Sequence, residues 1–246
     1  GRGQDYVSVM TDLTQPRVLE VVPGRDEEAA NKLWKCLPET QLPQIQAVAI
    51  DMWQAFENSV QKNVPQADIV HDKFHISKYL NEAVDKVRRQ EHKILKQDGD
   101  EVLTGSKYLW LFDHKNIPKD RQLEFEELKN EGLRTGRAWA IKETFRWFWV
   151  YCYAGHARSY FQKWYSWASR SRLEPIIKVA KMLKHRLPNI LTYFKHQISN
   201  AVTEGFKSRI QALKANARGF RNFQNYRIRI LFFCGKLDLM PANISH

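Results

Sequence analysis

The sequence predicts an α/β domain whose sheet starts antiparallel and becomes parallel, interrupted by an all-helical insertion. Three observations predict it. Strand-like and helix-like patterns alternate over the first hundred residues. A polar, turn-rich stretch, "KQDGDEVLTGS" at 96–106, then marks a boundary, and only helical periodicity follows it. The expected organisation is a first part of the core at 1–95, a helical insertion at 96–196, and returning core helices at 197–246.

The opening segment "DYVSVMTDL" alternates as a strand does, with Tyr6, Ser8 and Met10 on one side and Val7, Val9 and Thr11 on the other. After the turn "TQP", "RVLEVV" reads as an antiparallel partner ending at Pro23-Gly24. "RDEEAANKLWKCL" has acidic residues in its first turn and Ala29, Leu33 and Cys36 at helical spacing. "IQAVAID" is almost wholly apolar, the pattern of a strand covered on both faces. A helix follows in "WQAFENSVQKNV", with Phe56 and Val60 inward, and then a buried strand in "ADIVHD". From Phe74 to about Leu95 a long amphipathic helix presents Ile76, Leu80, Ala83, Val84, Val87, Glu91 and Ile94 on one face. Later helices are expected in "DRQLEFEELKNEG", "RAWAIKETFRWFWVYCYAG", "ARSYFQKWYSWASRS", "LEPIIKVAKMLKHRL" and "PNILTYFKHQ". One more, "SNAVTEGFKSRIQALK", returns to the core. The run "FRWFWVYCY" (145–153) is apolar all round and is expected at the centre of the insertion; exposed aromatics there could instead stack on unpaired bases.

Composition narrows the function classes. No apolar run approaches the roughly 20 residues that span a bilayer, so no membrane role is expected. Cys36, Cys152 and Cys234 lie far apart without a CxxC, which supports neither a disulfide framework nor a zinc ribbon and suits a reducing, cytosolic setting. The net charge is +12 and uneven. Residues 1–100 hold 13 Lys+Arg against 16 Asp+Glu, and residues 101–246 hold 26 against 11. Such a field suits a polyanion such as DNA or RNA.

Two carboxylates stand out. Asp51 closes "IQAVAID", so it should emerge at the C-terminal edge of a buried strand, where open α/β sheets place ligands. It would equally serve as an N-cap for the helix beginning near Trp53. Glu204 is the one acidic residue in its helix, on a polar face with Asn200, Lys207, Gln211 and Lys214, while Val202, Phe206, Ile210 and Leu213 form the packing face. A surface pair with Lys207 is its ordinary explanation. If the two lie together, they offer hard oxygen ligands suited to Mg²⁺. "HDKFH" (71–75) mimics a zinc motif only in spacing: Asp72 replaces the glutamate and fits an N-cap, with a secondary possibility of helping at a metal site. Cations from Arg158 onward, including Lys163, Arg170, Arg172, Lys178, Lys184, Arg227 and Arg229, are candidates for phosphate contact, as are Lys207, Arg209, Lys214, Arg218 and Arg221.

Three segments carry a family resemblance. "VAIDMWQAF", "PQADIVHDKFHISKYLNEAVDKVRR" and "SNAVTEGFKSRIQALKANARGFRNFQNYRIRILF", in this order, resemble DDE-type bacterial insertion-sequence transposases of the ISL-three family. The resemblance covers essentially the whole chain. It implies a ribonuclease H-like mixed sheet split by a helical insertion before the last acidic residue. It also implies an Asp, Asp and Glu set that holds Mg²⁺ or Mn²⁺ for cleavage and strand transfer at double-stranded element ends, in a cytoplasmic bacterial homo-oligomer on DNA. By matching motifs, the second Asp is Asp51 and the Glu is Glu204. The family's first Asp sits on an opening strand ahead of "GRGQDYVSV", and neither Asp5 nor Asp12 matches it. The expectation is therefore the C-terminal portion of such an enzyme, lacking its first strand and the family's N-terminal zinc-binding and helix-turn-helix portions. A degraded element, a frameshift or a misassigned start would account for that. The alternative is a remnant that binds DNA without turnover.

Overall fold

The computed structural model describes residues 6–198, 201–216 and 222–236. Contacts divide the chain into two compact units, 1–69 with 198–246, and 70–197.

In the first unit, β1 (Val7–Asp12) and β2 (Arg17–Pro23) form the expected antiparallel hairpin. Asp12 shapes its turn by accepting hydrogen bonds from the amides of Thr14 and Gln15. Gly24 closes the open end in a left-handed conformation (φ 96°), its amide donating to the Tyr6 carbonyl, and a Cβ there would crowd Ala29. A bulge interrupts the ladder, because Met10 pairs with Glu20 but Thr11 pairs with Val18. That extra residue matters for packing. Val18 and Val21 are three apart and would point to opposite faces of a regular strand, yet both enter one apolar cluster.

Each face of the hairpin is covered by helix. On one side lies α1 (Glu27–Trp34), capped by Asp26, with Ala29 and Leu33 against Met10 and Val22. Cys36, expected on this helix, falls beyond its end and is exposed. Next come β3 (Ala47–Ile50), α2 (Gln54–Asn63) and β4 (Asp68–His71). The Asp68 amide donates to the Gln46 carbonyl, pairing the starts of β3 and β4, so the two run parallel with α2 as the crossover. Val48, Ile50, Val60 and Ile69 pack with Trp34, whose indole donates to the Ser59 hydroxyl.

Two expectations change here. The described strands form two separate two-stranded sheets rather than one. And β3 is half-buried along its length rather than covered on both faces: Val48 and Ile50 pack against the cluster of Trp34, Val60 and Ile69, yet no residue of the strand is fully buried.

The second unit is helical throughout its elements after β4. The long helix α3 (Lys73–Gln97) buries Ile76, Leu80, Ala83, Val84, Val87 and Glu91, while Ile94 is exposed. It is followed by α4 (Lys107–Leu111), α5 (Gln122–Asn130), α6 (Arg134–Phe145), α7 (Ala154–Ser169), α8 (Glu174–His185), α9 (Leu187–Leu191) and α10 (Tyr193–His196). Glu91 sits on the apolar face of α3 because it caps α6: its carboxylate accepts from the Arg134 and Thr135 amides and the Thr135 hydroxyl at 2.6–2.7 Å. Lys142, buried on α6, does the converse at the end of α4, donating to the carbonyls of Trp110, Leu111 and Phe112. The core is aromatic, with Trp110, Phe125 and Trp139 edge to face and Phe145, Phe148, Phe161 and Trp164 in a second group.

The 145–153 run is not uniformly central. A 3₁₀ turn over Arg146–Val150 puts Phe145 and Phe148 inward, while Trp147 and Val150 are 63% and 66% exposed. Three residues per turn eclipses positions three apart, so Phe145 and Phe148 share the inner side and Trp147 and Val150 the outer one. No helix among the described residues is long and apolar enough to cross a membrane. None of the three cysteines is in a disulfide.

Two last helices return to the first unit, α11 (Ala201–Asn216) and α12 (Phe223–Cys234). Phe206 and Ile210 of α11, with Tyr226, Ile230 and Cys234 of α12, cover the hairpin face opposite α1.

Candidate functional site

Asp51 follows β3 directly and is half-buried. It is not a helix cap: α2 begins with Trp53 at its N-cap and no capping side chain. The turn is instead fixed by the Trp53 amide donating to the Asp51 carbonyl at 2.7 Å. Trp53 is itself held, its indole donating to the Arg25 carbonyl while the Arg25 guanidinium lies between the Trp53 and Tyr6 rings, 4.1 and 4.8 Å from their centres. The start of β1 and the loop after β3 are thereby joined two residues from the carboxylate.

Glu204 stands in the first turn of α11 and is exposed. Its helix is fixed on the hairpin from both sides of the residue. Phe206 and Ile210 enter the core, Val202 and Leu213 pack beside them, and the Thr203 hydroxyl meets the Thr11 hydroxyl at 3.0 Å. The neighbouring α12 is tied to β2 by a two-pronged ion pair in which Arg227 Nε and Nη2 donate to the Glu20 carboxylate at 2.6 and 2.5 Å. Burial works to raise the Glu20 carboxyl. The Arg227 bond, the Val21 amide and the guanidinium charge outweigh it and hold the group below its ordinary value. The same pair raises Arg227.

The cations expected around Glu204 fall partly within the described residues. Lys207, Arg209 and Lys214 are all exposed on α11. Arg218 and Arg221 lie outside the described residues, as does Asn200. Arg227, a candidate for phosphate contact by sequence, is committed to Glu20, Lys178 pairs with Glu174, and Lys184 lies over the Tyr165 ring. Among the described residues, Glu204 joins no group of three or more potential metal ligands. The donor chemistry nonetheless suits a hard cation, because Mg²⁺ takes one or two carboxylates and completes its shell with water and substrate phosphate.

"HDKFH" is not a zinc helix. His71 ends β4, Asp72 caps α3 through the Phe74 amide and contacts His75 Nδ1 at 3.2 Å, so the histidines do not share one helical face. Sequence reasoning missed Glu20 and Thr203. Neither has a motif, since their significance comes from partners 192 and 207 residues away.

The chain matches the ISL-three type family described as Transposase over residues 1–230. It is 30% identical over 232 residues to the transposase for insertion sequence element IS1001 of Bordetella parapertussis, covering 93% of this chain and 57% of that protein. It is 22% identical over 270 residues to the transposase for insertion sequence element IS1557 of Mycobacterium tuberculosis, covering all of this chain and 60% of that one. The chain thus spans well under two thirds of these curated relatives. No solved structure matches it.

Proposed function

The chain belongs to the ISL-three transposase family, and we propose that it carries two of the three acidic residues of a metal-dependent centre for DNA cleavage and strand transfer, Asp51 and Glu204. One observation carries this reading. Asp51 lies in the first unit; the chain leaves that unit only after Ile69, builds the whole helical unit, and returns so that α11, which bears Glu204, packs on the same unit's hairpin. A surface salt-bridge helix needs no such return.

In this reading Asp51 and Glu204 hold Mg²⁺ or Mn²⁺. A divalent ion so bound supplies activation of the attacking oxygen and stabilisation of the leaving 3′ oxygen. Lys207, Arg209 and Lys214 hold phosphates of double-stranded DNA at the element end, joined by Arg218 and Arg221, and fix its register without reading bases. Among the described residues, β1 pairs as a strand only with β2, and β3 only with β4. We therefore assign the first Asp of the set to a strand outside these 246 residues that pairs between β1 and β3, completing a ribonuclease H-like mixed sheet. The working form is a homo-oligomer on DNA.

A role in DNA binding without turnover is the second reading, favoured by the want of a third ligand around Glu204 among the described residues. The test incubates labelled element-end DNA and Mg²⁺ with the 246-residue chain and with the same chain extended by the relatives' preceding sequence. Cleavage is expected from the extended protein and little or none from the shorter one. Glu204→Gln in the extended protein should abolish cleavage and leave DNA binding intact. Unimpaired cleavage by that variant sinks the assignment of Glu204, and no cleavage by the extended protein favours the second reading.

A further inference from the structure

The helical unit has a basic concavity of about 570 Å³ where the C-terminal end of α7 meets α6. Its wall includes Arg137 from α6, Lys163 and Trp167 from α7, and Arg170 and Arg172 from the turn after α7, with no carboxylate among the lining residues. Among the described residues none of these four cations forms an ion pair, unlike Arg88, Arg121 and Arg146 in the same unit. Four exposed positive charges around one hollow make a local positive field that favours an anion there.

Its parts are arranged for that entry. Arg170 is held against α7, Nε donating to the Ser166 carbonyl at 2.9 Å and a terminal nitrogen to the Ser166 hydroxyl. Arg172 lies in the left-handed region (φ 59°), a strained choice for an arginine that steers the chain into α8. Trp167 is 44% exposed on this wall, and no ring of the described residues stacks on it. An indole face beside several arginines is the pairing that single-stranded nucleic acid uses: bases stack while cations follow the backbone. A duplex, with its bases already stacked, offers the indole nothing.

We propose that this concavity binds an unpaired stretch of DNA, with Trp167 stacking on a base and Arg137, Lys163, Arg170 and Arg172 holding the flanking phosphates. The inference rests on the DNA-handling role proposed above, and it places the contact in the helical unit rather than at the carboxylates.

The test measures binding of a fluorescent 20-mer of thymidine and of a 20-base-pair duplex to the 246-residue chain in EDTA, over a salt series. All proteins carry Glu204→Gln, so the metal centre plays no part in the readout. Trp167→Ala should weaken single-strand binding at least tenfold and leave the duplex nearly unchanged, whereas Trp167→Phe should keep most of the affinity. Arg170→Gln with Arg172→Gln should lower the single-strand salt slope by roughly 1.4, the share of two phosphate contacts. Far-UV circular dichroism checks folding, and the retained duplex affinity serves as an internal control. Equal loss on both DNAs, wild-type single-strand affinity in all variants, or competition by inorganic phosphate or anionic vesicles as strong as by the 20-mer would overturn the proposal. Failure here leaves the cleavage test of Glu204 standing, and failure there leaves this one.

Discussion

The hydroxyls of Thr11 and Thr203 meet at 3.0 Å, joining the end of hairpin strand β1 to the residue that precedes Glu204. The bulge between Met10 and Thr11 shifts the phase of the ladder at this point. A threonine pair can hydrogen-bond without charge or metal, so the position of α11 here is set by a neutral contact. Replacing Thr203 by Val keeps the shape and strands the Thr11 hydroxyl, which should destabilise the protein by about 1 kcal/mol. Thr11→Val with Thr203→Val should recover part of that loss. Urea midpoints for the four proteins give the coupling directly, and strictly additive losses would mean that the hydroxyls do not interact.

The Glu20–Arg227 pair makes a pH-dependent prediction. A carboxyl held below its ordinary value of 4.5 contributes stability that is present above that value and is lost as pH falls through the folded one. Arg227→Met removes the partner and leaves a half-buried carboxylate, costing about 1.5–3 kcal/mol at pH 7. The gap between the two proteins in urea should narrow once the pH drops below 4.5. A gap that stays constant to pH 3 would show that the loss comes from packing of α12 rather than from charge.

Much of the first unit was legible because alternation reports directly which side chains share a face. Val7 and Val9 face α11 and α12, and Met10 faces α1, as the period of two implies. What covers a strand is another matter. The apolar run ending at Asp51 reads the same whether both faces of its strand are fully covered or not, and β3 is half-buried throughout. The 145–153 run misleads for a related reason, since hydrophobicity does not reveal a change from α to 3₁₀ winding that turns Trp147 and Val150 outward. The exposure of Glu204 was legible from the polar face it shares with Lys207 and Lys214. Arg137, remote in sequence from the "SRSR" turn it lines up with, carried no local signal at all.

Glu91 offers a test of capping between helices. Two amides and one hydroxyl converge on its carboxylate at 2.6–2.7 Å. Glu91→Gln replaces an accepting oxygen with an NH₂ group facing a donor, so at least one amide at the start of α6 loses its partner. The expected destabilisation is about 1–3 kcal/mol. Hydrogen exchange should report it as faster exchange of the Arg134 and Thr135 amides in particular. Unchanged protection at those two amides would remove Glu91 from the cap.

Lys142 should make the protein more stable at alkaline pH. Burial pushes its ammonium down to about 8, from an ordinary value of 10.5, against the pull of Glu143 and Asp113. Between those two values the unfolded chain binds more protons at this residue than the folded one, so stability rises with pH across the window. The full rise from this group is about 3 kcal/mol, at 1.36 kcal/mol per pKa unit. Other lysines titrate in the same range, so the quantity to follow is the difference between the wild type and Lys142→Met. That difference should move in favour of the wild type from pH 8 to 10.5, because neutral Lys142 still donates to the carbonyls at the end of α4 and no longer bears a buried charge. Methionine fills the space, lacks a proton to lose and leaves those carbonyls unbonded, so its own curve should lack this component. Parallel curves for the two proteins would mean that Lys142 keeps an ordinary proton affinity in the folded state.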